Sequence, residues 1–126
     1  MSISPQAQHQ AVQLLSSIEG LQANPLFLAE DVFQLSQVWE SEEEFLRAVN
    51  ATALAIKQLA SGAVDVASLS YKLEGWSAYH YQHARSQGSP ADMRIVFQVE
   101  GPRIKMLAFG HRSLPNSIYL TAGQRT

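Results

Sequence analysis

The chain has no cysteine. Disulfide staples and thiolate metal sites are therefore excluded, and a reducing, cytoplasmic address is expected. It has no apolar run near the roughly 18 residues that a membrane-spanning helix requires. Its first residues, MSISPQAQHQ, carry neither a basic cluster nor an apolar stretch, so no secretory signal is expected. No internal repeat or low-complexity segment interrupts it. What remains is 126 residues, 46% of them hydrophobic, enough for one core without staples. A single domain covering residues 1–126 is expected.

Charge of one sign is scarce in each half. Residues 1–68 hold two basic side chains, Arg47 and Lys57, against eight acidic ones, a sum of −6. Residues 69–126 hold seven basic side chains (Lys72, Arg85, Arg94, Arg103, Lys105, Arg112, Arg125) against Glu74, Asp92 and Glu100, a sum of +4. His80, His83 and His111 lie in the same basic half. Such a face suits an anionic partner, nucleic acid above all, and the alternative is that the halves neutralise each other within one fold.

The acidic half carries helical periodicity. Residues 5–19 repeat Ala7, Ala11, Leu14, Leu15 and Ile18, with Pro5 suited to a first turn and Gly20 as a stop. Residues 26–38 follow an Asn24-Pro25 start signal. Ser41 and Glu44 form a capping-box pattern ahead of the stripe Phe45, Val49, Thr52, Ala53, Ile56, Leu59, Ala60, which Gly62 ends. Residues 1–62 thus predict an acidic helical layer.

The period then changes to two. In residues 93–99, Met93, Ile95, Phe97 and Val99 share one face, and Arg94 points the other way. Residues 104–109 are apolar on both faces apart from Lys105, as in a central strand, and EGPR makes the turn between the two. Residues 78–85 alternate as well, with His80 and His83 on opposite faces, and residues 117–121 suit a last short strand. Residues 122–126 read as a frayed tail. The expected fold is α+β, with N-terminal helices on one face of a three- to four-stranded, mainly antiparallel sheet over residues 69–121.

On the uncovered face Arg94, Arg112, His111, Tyr119 and either His80 or His83 can converge. Arginine stabilises a phosphorane, histidine moves protons near neutral pH, and tyrosine stacks on a base or donates a proton. That set suits RNA cleavage by internal transesterification, in which the 2′-hydroxyl attacks phosphorus and the 5′-oxygen leaves. No metal and no cofactor is expected, and His80 and His83, on opposite faces, are poor co-ligands for zinc. Lys72, Arg85 and Lys105 are further candidate RNA contacts. Each residue also has a plainer role: Arg94 on the surface, His111 capping a turn beside Gly110, Tyr119 in the core.

The pieces LSYKLEG (69–75), DMRIVFQVEG (92–101), IKMLAFGHR (104–112) and SIY (117–119) resemble, in order and spacing, the sheet of the RelE/ParE toxin superfamily. That family shows a "KL.G" element, a "YR.VY.V" strand, a strand ending "G.R" and a terminal tyrosine. The resemblance implies a toxin with a cognate antitoxin partner. In the RelE-like branch it cuts mRNA in the ribosomal A site; in the ParE-like branch it inhibits gyrase. It implies that Arg94 binds the scissile phosphate, that Arg112 is the second phosphate-stabilising arginine, and that Tyr119 is the terminal tyrosine. His80 or His83 would stand in for the family's strand lysines. The chain departs from the pattern in Met93, where an aromatic is usual, in a pI of about 6.0, and in its three helical segments with no clear first strand unless MSIS is one. The acidic helices are then either an added layer or a cover on the basic face. The rival functions are a protein-binding relative without nuclease activity and an adaptor that dimerises through its sheet.

Overall fold

The computed structural model describes residues 3–62, 66–84, 87–114 and 116–126. Arg85, a candidate RNA contact, lies outside them, as do Met1 and Ser2 of the MSIS segment.

Three capped helices open the chain. Ser4 accepts the Ala7 N–H at 3.1 Å and starts α1 (Pro5–Ser16). Asn24 accepts the N–H groups of Leu26 and Phe27 and starts α2 (Pro25–Leu35). Ser41 accepts the Glu44 N–H and starts α3 (Glu42–Ser61), whose EEE first turn lies at the positive end of the helix dipole. Gly62, at φ 73°, supplies the left-handed C-cap. The first two helices stop three residues short of the expected ends. After α1 the chain turns at Gly20 into a strand, β1 (Leu21–Ala23). At Gly20 φ is +88° and an added Cβ would come within 3.3 Å of the Pro102 carbonyl oxygen, so both backbone and space favour glycine.

The sheet has five strands, in the order β1-β5-β4-β3-β2, with β2 Ala67–Ser68, β3 Ser77–Tyr81, β4 Met93–Glu100 and β5 Arg103–His111. β1 runs parallel to β5 and the other neighbours are antiparallel. The sheet is thus mixed and larger than the expected three or four strands. The expected hairpin of β4 and β5 is present. A register shift between Val96 and Phe97 lets Ile104, Met106 and Phe109 face one side while Leu107 and Ala108 face the other.

The helical side holds the main core: Leu15, Val32, Leu35, Phe45, Val49 and Ile56 close over Met93, Ile95, Phe97 and Phe109. Val99 was expected in this core; it is 63% exposed because it sits at the hairpin end, beyond the helices. The acidic helices therefore form a layer on the face away from Arg94, not a cover over the basic one.

The opposite face differs from expectation. Residues 117–121 do not form a strand. Ser117 accepts the Leu120 N–H at 3.1 Å and caps a helix, α4 (Ile118–Gln124). Ile118 and Ala122, one helical turn apart, pack with Leu73, Val96, Leu107 and Ala108 into a second, smaller core. Gly110 allows this approach, since a Cβ there would sit 2.5 Å from Ile118 Cδ1.

The tail is not frayed either. Arg125, its side chain only 6% exposed, makes an ion pair with Asp31 of α2. No helix among the described residues is long and apolar enough to cross a membrane.

Candidate functional site

Register decides which histidine joins Arg94. On β3, His80 stands opposite Arg94 of β4, and Arg94 stands opposite Gly110 of β5. Directly opposed residues share a face, so His80 and Arg94 look away from the main core. α4 brings Tyr119 onto the same spot. Its hydroxyl lies 2.7 Å from His80 Nε2, and its ring lies 5.5 Å from Arg94 Cζ. Three of the expected residues therefore meet, one of them delivered by a helix rather than a strand.

The electrostatics of this group follow from its neighbours. Partial burial, with Arg94's charge beside it, lowers the His80 pKa below its ordinary value. Both effects favour the neutral imidazole, the form that can accept a proton. Arg94 is half-buried, and among the described residues no carboxylate pairs with it. A guanidinium held like this offers its donor fork to an incoming anion.

The surroundings are cationic and aromatic. Lys72 lines a groove of about 400 Å³ with Tyr71, Tyr119 and Leu120. Tyr71 is 96% exposed and held at φ 58°, so its ring stands out from the surface. Lys105 lies over the Trp76 ring, 5.6 Å from its centroid, and reaches Glu100 at 3.9 Å. Arg112 follows β5 directly. Its side chain is exposed, and its backbone N–H donates to the Asp92 carbonyl at 2.9 Å.

His83 and His111 belong to a different group. His111 stands opposite Met93 and thus on the helical side of the sheet, and His83 follows the end of β3. Between them lies Asp92. Its Oδ2 contacts His83 Nδ1 and lies 3.2 Å from His111 Nε2, and its Oδ1 accepts the His83 backbone N–H at 2.9 Å. Glu44 Oε2 reaches the far nitrogen of His83, Nε2, at 3.0 Å. Trp39 packs on both imidazoles, with ring centroids 4.7 and 5.2 Å away. Burial raises the Asp92 pKa, but the His83 hydrogen bonds and the two imidazoles outweigh it, and the carboxyl ends below its ordinary value. Burial outweighs Asp92's pull on His111, which ends lowered. His83, Asp92 and His111 are the residues here with donors close enough to hold a metal ion.

The expected constellation therefore divides in two. His80, Arg94 and Tyr119 form one group; His83 and His111 form another with Asp92, Glu44 and Trp39. The last three were not among the expected site residues. Glu44 was expected only as half of a capping box; instead its carboxylate reaches across to His83 and to Arg47, the latter at 3.3 Å. Asp92 and His83 flank the β3–β4 connection, which was the one visible sign that they meet.

No family model matches the chain, and no curated protein or solved structure matches it.

Proposed function

We propose that the chain is an endoribonuclease of the RelE/ParE kind, cutting mRNA on the ribosome by metal-free transesterification and restrained by an antitoxin partner. The observation that carries this reading is the meeting of a histidine, a tyrosine hydroxyl and an arginine that has no carboxylate partner among the described residues, all on one face of the sheet. Arg94 holds the scissile phosphate and stabilises the charge that builds up on its oxygens. His80 takes the proton of the attacking 2′-hydroxyl. The Tyr119 hydroxyl gives a proton to the departing 5′-oxygen and regains one through its contact with His80. The new bond joins the 2′-oxygen to phosphorus, the bond to the 5′-oxygen breaks, and the products are a 2′,3′-cyclic phosphate and a 5′-hydroxyl. Tyr71 and Trp76 offer faces on which bases stack, and Lys72, Lys105 and Arg112 add charge for the backbone.

The test is cleavage of a translated mRNA, with the ends mapped, against the same message carrying a 2′-deoxy nucleotide at the cut. Cyclic-phosphate ends that vanish on 2′-deoxy substitution support the reading. A folded chain that leaves both messages intact, with and without ribosomes, overturns it in favour of a protein-binding relative.

A further inference from the structure

On the other side of the sheet, three chain segments bring nitrogen and oxygen donors to one point. His83 comes from the end of β3, Asp92 from the residue before β4, and His111 from the last position of β5. One donor atom from each lies within 4.8 Å of the other two. The Asp92 Oδ2 to His111 Nε2 separation is 3.2 Å. Two ligands of a tetrahedral zinc, at the usual bond lengths of about 2.0–2.2 Å, stand about 3.3 Å apart. That spacing suits a shared ion as well as a hydrogen bond; His83 Nδ1 and Asp92 Oδ2 stand closer together and must part for an ion to enter between them.

The surroundings have the form that supports such a centre. Metal-binding imidazoles characteristically engage a carboxylate or another acceptor through their second nitrogen, which fixes the ring and the tautomer. His83 does this with Glu44, at 3.0 Å. His111 does it with Ser113, whose Oγ lies 2.8 Å from Nδ1. Ligation through His111 Nε2 requires Nδ1 to carry the proton and donate it to that hydroxyl. The Ser113 backbone N–H, which donates to the same Nδ1 at 3.0 Å, favours the other tautomer, so ion binding has to displace that contact. The three side chains are only 12–19% exposed, and the Trp39 ring walls them from solvent. Asp92 and Glu44 bring two carboxylates to the centre, with Arg47, paired to Glu44 at 3.3 Å, and Arg112 as the opposing charges nearby.

We infer that His83, Asp92 and His111 form a binding site for a divalent transition-metal ion, with Glu44 and Ser113 orienting the two imidazoles. Two imidazoles and a carboxylate with no thiolate favour zinc and its neighbours over calcium or magnesium. Three protein donors leave a fourth position for water. The ion ties the ends of β3, β4 and β5 to the start of α3. The site is separate from the Arg94 face and does not depend on the RNA reading.

Calorimetric titration of the chelator-stripped full chain with zinc, and separately with magnesium, tests this. One zinc ion per chain is expected, with magnesium not competing. His83→Ala, Asp92→Asn and His111→Ala should each weaken zinc binding more than about 100-fold, and Glu44→Gln about 10- to 100-fold, while His9→Ala and His80→Ala leave it unchanged. Because some of these variants can fail to fold, the wild type carries a second readout: imidazole nitrogen resonances of His83 and His111, and of no other histidine, shift on adding zinc. Absence of one-to-one zinc binding by the folded wild type, binding that survives in folded His83→Ala and His111→Ala, or shifts confined to His9 or His80 would each overturn the proposal and leave the cluster as a hydrogen-bonded strut.

Discussion

Asp31 and Arg125, 94 positions apart in the chain, form a two-pronged ion pair: Nη1 to Oδ2 and Nη2 to Oδ1, each at 2.9 Å. They close the outer edge of β5. β1 pairs only with Ile104, Lys105 and Met106, which leaves the next backbone groups along that edge without a strand partner. Asp31 accepts the Phe109 N–H at 3.2 Å, and Arg125 donates to the Leu107 carbonyl at 3.0 Å. The guanidinium also lies 4.5 Å from the centre of the Phe27 ring. A salt bridge thus replaces the missing length of β1 and binds α4 to the helical layer.

Arg125→Ala leaves a buried carboxylate without its counter-charge. Such losses cost about 3–5 kcal/mol, and a fall of that size is expected in denaturant unfolding. Arg125→Lys keeps the charge but loses the fork and falls between the two.

The same pair sets a pH dependence. Burial pushes the Asp31 carboxyl up from 3.8 to about 6, even against the pull of Arg125 and the Phe109 N–H. A folded-state pKa above the unfolded one means that the native chain binds the proton more tightly. Its contribution to stability therefore grows as pH falls from about 6 towards 3.8 and is lost as pH rises through that window. Wild type should lose stability relative to Asp31→Asn between these limits, on the order of 3 kcal/mol at about 1.4 kcal/mol per pH unit. Denaturation curves of both chains across the window give the difference, and a flat difference would contradict the assignment.

Gly110→Ala places a methyl group 2.5 Å from Ile118 Cδ1 and 3.0 Å from Leu114 Cδ1. Overpacking of this kind costs about 1–3 kcal/mol. Relief by moving α4 outward carries Tyr119, the neighbour of Ile118, away from His80. The variant should therefore show both a lower unfolding midpoint and a change in the His80 ring resonances.

The helical starts were legible because each rests on a side chain acting within its own turn: Asn24 and Ser41 cap the residues just after them. The β4–β5 hairpin was legible from its alternation and short turn. β1 was not, since three residues between two helices hold no period, and it exists through pairing with residues more than 80 positions away. SIYLT alternates like a strand, yet Ser117 and the one-turn spacing of Ile118 and Ala122 make it a helix, because the second core requires that spacing. At the site, the alternation expected over residues 78–85 holds only to Tyr81, where β3 ends, so it does not place His83; the pairing of His80 with Arg94 fixes the face of His80. Asp92 carried no local signal, because its role arises only when three strand ends meet.

The most direct test of the RNA-acting face is the rate of mRNA cleavage by wild type, Arg94→Ala and His80→Ala, each confirmed to be folded. The account predicts cleavage by wild type, a loss of about 10²–10³-fold in Arg94→Ala and about 10²–10⁴-fold in His80→Ala. Cleavage that persists undiminished in both variants would contradict it.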